Sequence, residues 1–367
     1  SFGVCAQLLY VLGFSLDLAQ AFVLCGLLAA AGLLRLPSAR PLTTAARLRK
    51  PERVAAVLVA LPLFLLALDA LYQPLASWDA WTQWTAKGQA LVELDGLDSA
   101  VFANQAYADW HPDYPLLVPA LEAFAFRAGV DVRVIHLEFW LLLAAFVGAL
   151  IELLRPRVGP LFTWAGVLAI VWTPKIGAEA LSANADMPLA IFLVLTALGG
   201  WLWVAERNPA ALGLVGVFGS ATLATKLEGL VELTIVLAVA LALALRQSAR
   251  TALLLAFAGA CAALVGLVPW RIWTLVSDAP VAYPAGSVLD SVVGVEPSRV
   301  PIAALLLLRQ LFDPDVWLVL LPLALCAVAV AAGAMRRGSG SVGAGVATAL
   351  LLLVGLRILI RFSRPGL

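Results

Sequence analysis

The chain has 367 residues, of which 63% are hydrophobic and 13% charged, with a formal net charge of +1; an ordinary soluble domain is roughly a quarter charged. Its apolar residues form blocks long enough to cross a hydrocarbon core of about 30 Å as helices, and no dyad alternation marks an outer-membrane barrel. That composition excludes a soluble enzyme, and basic residues confined to connections exclude a nucleic-acid partner.

The expected fold is an all-α polytopic membrane protein of about 10–11 transmembrane helices, one transmembrane domain over 1–367. Residues 2–34 supply one long helix or two short ones; because the chain starts at Ser1 without Met, the first span is expected to be incomplete. Further spans are expected at 53–72, 134–154, 158–173, 187–205, 210–224, 229–245, 251–269, 316–334 and 343–360. Cys5, Cys25, Cys261 and Cys326 all sit inside apolar runs without paired spacing and read as small core residues.

The connection from 34 to 54 carries Arg35, Arg40, Arg47, Arg49, Lys50 and Arg53 against the single acid Glu52, which marks it as cytoplasmic. The next connection, 73–130, is then outer. Its composition agrees: Lys87 and Arg127 face Asp79, Glu93, Asp95, Asp98, Asp109, Asp113 and Glu122. Alternation from there puts Arg155, Arg157, Arg207, Arg246, Arg250, Arg336 and Arg337 inside. It also puts 174–186, 225–228 and 270–300 on the outer side with the long loop.

SWDAWTQWTAKGQAL, 77–91, opens that loop. With Ser77 as N-cap, residues 78–87 predict a short interfacial helix. Ideal helical spacing groups Trp78, Trp81 and Trp84 on one arc as a membrane-interface belt and puts Asp79, Gln83 and Lys87 on another side. Asp79, a carboxylate near a helix N-terminus at the membrane surface, is not needed for insertion and is the candidate catalytic residue. In YADWHPDYPLLVPALEAF, 107–124, two X-Pro steps bracket Asp113 and Tyr114, predicting an extended, rigid path that aims side chains. His111, Asp113 and Tyr114 are candidate substrate contacts, as is Lys87.

SANADMPLA, 182–190, brings Asp186 to the mouth of a span, where it is either a cap or a contact, with Pro188 in the first helical turn. In ATKLEGL, 224–230, Lys226 and Glu228 lie between two apolar runs; ionisable groups at membrane depth are costly and point to function. Lys226 either faces an anionic head group or pairs with Glu228. PWRIW, 269–273, places Arg271 between two tryptophans, for phosphate binding or for snorkelling. GLVGVFG, 213–219, predicts close helix packing, and RRGSGSVGAG, 336–345, a flexible inner linker.

An apolar helix, an outer loop with an acid just past the membrane, and H-P-x-Y-P leading toward the next span resemble the GT-C superfamily of integral-membrane glycosyltransferases. The likeness is greatest to the protein mannosyltransferase and aminoarabinose transferase group. SWDAW, HPDYP, NADMPLA and TKLEG carry it, over roughly 50–275. The resemblance implies a bacterial inner-membrane enzyme with its active face outward. It also implies a polyprenyl-phosphate sugar donor entering from the bilayer, a sugar, lipid or protein acceptor, and inversion at the anomeric carbon. Asp79 would be the general base, with His111, Asp113 and Tyr114 in the second polar segment. Many members carry two adjacent acids in the first loop; here Ala80 and Trp81 follow Asp79. Whether a divalent metal assists stays open: Asp79 with Asp113, thirty-four residues apart, can offer oxygen ligands to Mg²⁺ or Mn²⁺. The alternative from another class is a non-catalytic helical subunit of a larger membrane complex, with membrane lipids and membrane proteins as its partners.

Overall fold

The computed structural model describes residues 2–15, 17, 20–21, 23–24, 48–281, 298 and 300–317. The linker at 336–345, Cys25, Cys326, Arg35, Arg40, Arg336 and Arg337, and the last two expected spans beyond residue 317 lie outside the described residues. Among those described, the protein is all-α without strands. In chain order the helices are α1 (Phe2–Val11), α2 (Lys50–Tyr72), α3 (Thr85–Glu93), α4 (Ser99–Phe102), α5 (Leu117–Arg127), α6 (Leu137–Val158), α7 (Pro160–Val171), α8 (Pro174–Ser182), α9 (Asp186–Glu206), α10 (Pro209–Thr225), α11 (Glu228–Leu245), α12 (Ala249–Gly266), α13 (Val268–Val276), α14 (Val300–Leu311) and α15 (Pro314–Trp317).

Five described helices are long and apolar enough to span a membrane, or up to six when the bent pair α7–α8 counts as one. Helix α10, at 17 residues, lies just below that length and still packs as an equal member of the bundle between α9 and α12. This is a multi-pass membrane protein. Helix α2 buries only Glu52, Val59, Pro62 and Ala70, so most of its surface is left for lipid, whereas α9 is enclosed almost all round.

Short connections make the spans antiparallel, and ion pairs mark one end. The carboxylate of Glu52, at the start of α2, accepts from Arg155 at the end of α6 at 2.6 Å and from the indole of Trp164 on α7 at 3.3 Å. Arg157 pairs at the same end with Glu206, the last residue of α9. Among the described residues, the basic connections around Glu52, Arg155 and Arg157 therefore share one end of the bundle. The loop after α2, Asp186, Lys226 and Glu228 all gather at the other.

Close packing follows a different set of small residues from the one expected. A side chain at Gly213 or Gly216 would meet open space, and only Gly219 of that stretch abuts a neighbour, Ala262, at 3.1 Å from an added Cβ. The tight crossings are at Gly266, where an added Cβ would run into the Ser220 backbone, and at Gly229, where it would strike the carbonyl of Thr222. Backbone atoms cannot turn aside as a side chain can, so Gly266→Ala is expected to cost about 1–3 kcal/mol. A thermal-unfolding comparison in detergent checks this, with Gly216→Ala as the variant expected to change little.

The long loop is not a loose excursion. Helix α5 buries Leu117, Val118, Pro119, Ala120, Glu122 and Ala123, chiefly against α3 and α1. Gln7 of α1 ties this layer to the bundle: its side chain donates to the Gly266 carbonyl at 3.3 Å and accepts from the Leu116 amide at 2.8 Å.

Candidate functional site

The loop begins differently from an ideal helix. Residues Ala80–Trp84 form a π-helical turn, which runs on into α3. A π turn is wider than an α turn, so it breaks the 100° spacing that would align the tryptophans. The belt of three is corrected accordingly: Trp78 and Trp81 are 77% and 48% exposed, but Trp84 is 1% exposed and stacks on Tyr114 with centroids 5.8 Å apart. Such turns occur often at functional sites. Ser77 is not the expected cap either, since its hydroxyl donates to Asn184 at 2.8 Å, joining the loop to the entry of α9.

The HPDYP stretch is a turn, not an extended path. The Tyr114 amide donates to the His111 carbonyl at 2.9 Å, with His111 itself left-handed at φ 49°. That same carbonyl accepts from the ammonium of Lys87 at 2.7 Å, and the Trp270 indole donates to the Asp113 carbonyl at 2.8 Å. Two distant segments therefore clamp this turn. The His111 ring stacks on Tyr114 at 5.1 Å, and the Tyr114 hydroxyl donates to Glu228 at 3.4 Å. Lys226 donates to Asp186 at 3.0 Å, stands 3.6 Å from Glu228, and lies 5.9 Å from the Tyr114 ring centroid.

Most of the candidate residues thus meet at one end of the bundle. His111, Tyr114, Glu228, Lys226 and Asp186 form a continuous chain of contacts. Asp79, half-buried, joins it through its field on His111. Lys87 and Asp113 lie beneath and are fully buried, which moves them from substrate contact to framework. Burial pushes Lys87 down to about 7, partly offset by the charge of Asp113. His111 is likewise held below its ordinary value, by burial and then by Lys87, against the opposing fields of Asp113, Asp79 and Glu228. That shift favours the uncharged imidazole. Lys226 is buried and pairs with two carboxylates, Asp186 at the shorter distance and then Glu228, so pairing describes it better than an open phosphate contact. Arg271 is half-buried on α13, beside the Trp270 that holds Asp113; its guanidinium makes no hydrogen bond or ion pair among the described residues.

A cavity of about 430 Å³ opens beside this chain, lined by Trp78, Thr82, Gln83, Trp110 and His111. Tyr107 braces the Trp110 ring at 4.8 Å. The two carboxylates offered for a metal ion lie in different surroundings. Asp113 is sealed under the turn in the field of Lys87, while Asp79 lies toward the surface, and no cluster of three or more metal-binding side chains occurs among the described residues.

One buried acid, Glu122, stands outside the candidate residues of the sequence. Glu122 is fully buried; one carboxylate oxygen accepts from Thr85 at 3.2 Å, and the other has no hydrogen-bond partner among the described residues. Burial, then the field of Glu138, pushes it well above the usual carboxylate range. The signal available was a Glu at the centre of the apolar run LVPALEAFAF. Because the folded value is raised, the folded state binds more protons above the ordinary carboxylate value, and stability falls as pH rises from there. Glu122→Gln, which keeps the Thr85 contact, is expected to raise the unfolding temperature by a few degrees at pH 8 and to leave it unchanged at pH 4. Thermal scans at the two pH values check this.

The chain matches no family model, no curated protein and no solved structure.

Proposed function

We propose that this protein is an inverting membrane glycosyltransferase that moves a sugar from a polyprenyl-phosphate donor to an acceptor hydroxyl, on the outer face of a bacterial inner membrane. The observation that carries this reading is a cavity seated where the spans end, lined by His111, with the half-buried Asp79 carboxylate near enough for its field to reach that ring. The resemblance noted in the sequence supports it.

In this reaction the acceptor oxygen forms a bond to the anomeric carbon as the bond from that carbon to the phosphate oxygen breaks. Asp79 takes the acceptor proton, and polyprenyl phosphate leaves with the electron pair. An aspartate is a weak base in water; holding and orienting the hydroxyl as its proton becomes acidic is what it contributes, a step commonly worth about 10²–10⁴ in rate. His111, lining the cavity, orients the acceptor. Arg271 is the cation assigned to the leaving phosphate, since Lys226 is already neutralised by Asp186 and Glu228.

The test reconstitutes the full chain in liposomes with polyprenyl-phosphate mannose, glucose or arabinose and measures release of polyprenyl phosphate. Turnover of one donor, with an approximately tenfold higher KM in Arg271→Gln for a lost charge-assisted contact, is the expected result. No turnover of any donor removes the reading and leaves the non-catalytic subunit.

A further inference from the structure

Resting on the glycosyl-transfer reading, we infer that the cavity lined by Trp78, Thr82, Gln83, Trp110 and His111 is an acceptor subsite that binds a neutral saccharide ring. Its size falls within the about 300–1,000 Å³ typical of small-molecule sites. Two indoles come to it from different elements, Trp78 from the segment before the π turn and Trp110 from the 3-10 helix Gln105–Trp110. A membrane belt needs neither that convergence nor polar side chains facing the same hollow. Gln83 brings an amide donor and acceptor with no hydrogen bond to the rest of the described protein, and the Thr82 hydroxyl, which donates to the Trp78 carbonyl at 3.0 Å, keeps its acceptor capacity.

Charge decides the ligand class. No lysine or arginine lines the cavity, and of the charges acting on His111 the one cation, Lys87, is sealed beneath the turn and opposed by the carboxylates of Asp113, Asp79 and Glu228. An anion such as the donor phosphate finds no cationic side chain among the residues lining this place, and a lipid chain meets too many polar groups. A pyranose ring suits it: its C–H face lies against an indole while its hydroxyls reach Gln83, Thr82 and His111. A hydroxyl seated against His111 also approaches Asp79, as transfer requires.

The experiment titrates the full chain in nanodiscs with methyl α-mannopyranoside, methyl β-galactopyranoside, methyl β-glucopyranoside and glucose 1-phosphate, reading tryptophan fluorescence and saturation-transfer NMR. Saturable binding of at least one neutral glycoside, weaker binding of the phosphate, and about tenfold weaker binding in both Gln83→Leu and Trp110→Leu are expected, the worth of one hydrogen bond or ring contact. Circular dichroism and thermal unfolding establish that the variants fold; Thr82→Val is the substitute should either fail. Absence of saturation by every neutral glycoside, equal binding in the variants, or preference for the phosphate overturns the inference. Donor turnover without glycoside binding therefore removes this inference alone, and glycoside binding without turnover removes only the transfer reading.

Discussion

Lys87→Met is expected to destabilise the protein by about 3–5 kcal/mol, the usual cost of leaving a buried charge uncompensated. Lys87 is fully buried, donates to the His111 carbonyl at 2.7 Å, and lies 5.6 and 5.9 Å from the Trp84 and Tyr114 ring centroids. It thus holds the turn that carries the candidate site, and it balances the charge of the equally buried Asp113. Thermal unfolding in detergent measures the loss. The double variant Lys87→Met/Asp113→Asn is expected to recover a large part of it, because the stranded carboxylate is then gone; additive losses would break the coupling. The pH dependence carries an independent sign. Lys87 falls to about 7 in the folded protein from 10.5, so between those values the unfolded chain binds the additional proton and stability rises with pH. That rise is expected in the native protein and absent from Lys87→Met.

Asp79→Asn is expected to lower sugar transfer by about 10²–10⁴ while leaving the unfolding temperature unchanged. The substitution keeps shape and hydrogen bonding but removes the proton acceptor. Asp79 is half-buried and has no ion-pair partner among the described residues, so losing its charge strands no opposite charge in the fold. A structural carboxylate would give the opposite pattern, lost stability with transfer preserved. Steady-state rates over pH 5–9, with melting curves on the same preparations, separate the two.

The bundle was legible in the sequence because membrane helices are announced by length and hydropathy, which tertiary contacts do not alter. Basic residues at one end and Asp79, Asp186, Lys226 and Glu228 at the other followed from alternation alone. The arrangement within the site was not legible, and the reasons are local. The π turn at Ala80–Trp84 has no compositional signature, yet it decides that Trp84 enters the core while Trp78 faces outward. Lys87 reads as a surface cation until its partners, the His111 carbonyl and Asp113, are brought beneath it by a turn twenty-four residues away. Gly266 and Gly229 looked no different from Gly213 and Gly216, because a helix crossing is a property of two segments and periodicity describes one. HPDYP was recognised as rigid, but whether two prolines yield an extended path or a closed turn depends on the clamps from Lys87 and Trp270.

The stereochemistry of a single product separates base-assisted transfer from any other chemistry. Incubating the reconstituted protein with a polyprenyl-phosphate hexose of known anomeric configuration and an alkyl pyranoside acceptor, then reading the new glycosidic bond by NMR, tests base-assisted single displacement. Inversion in the native protein, with about 10²–10⁴ less product from Asp79→Asn, is the predicted result. Retention of configuration, or inversion at an unchanged rate in Asp79→Asn, would contradict it.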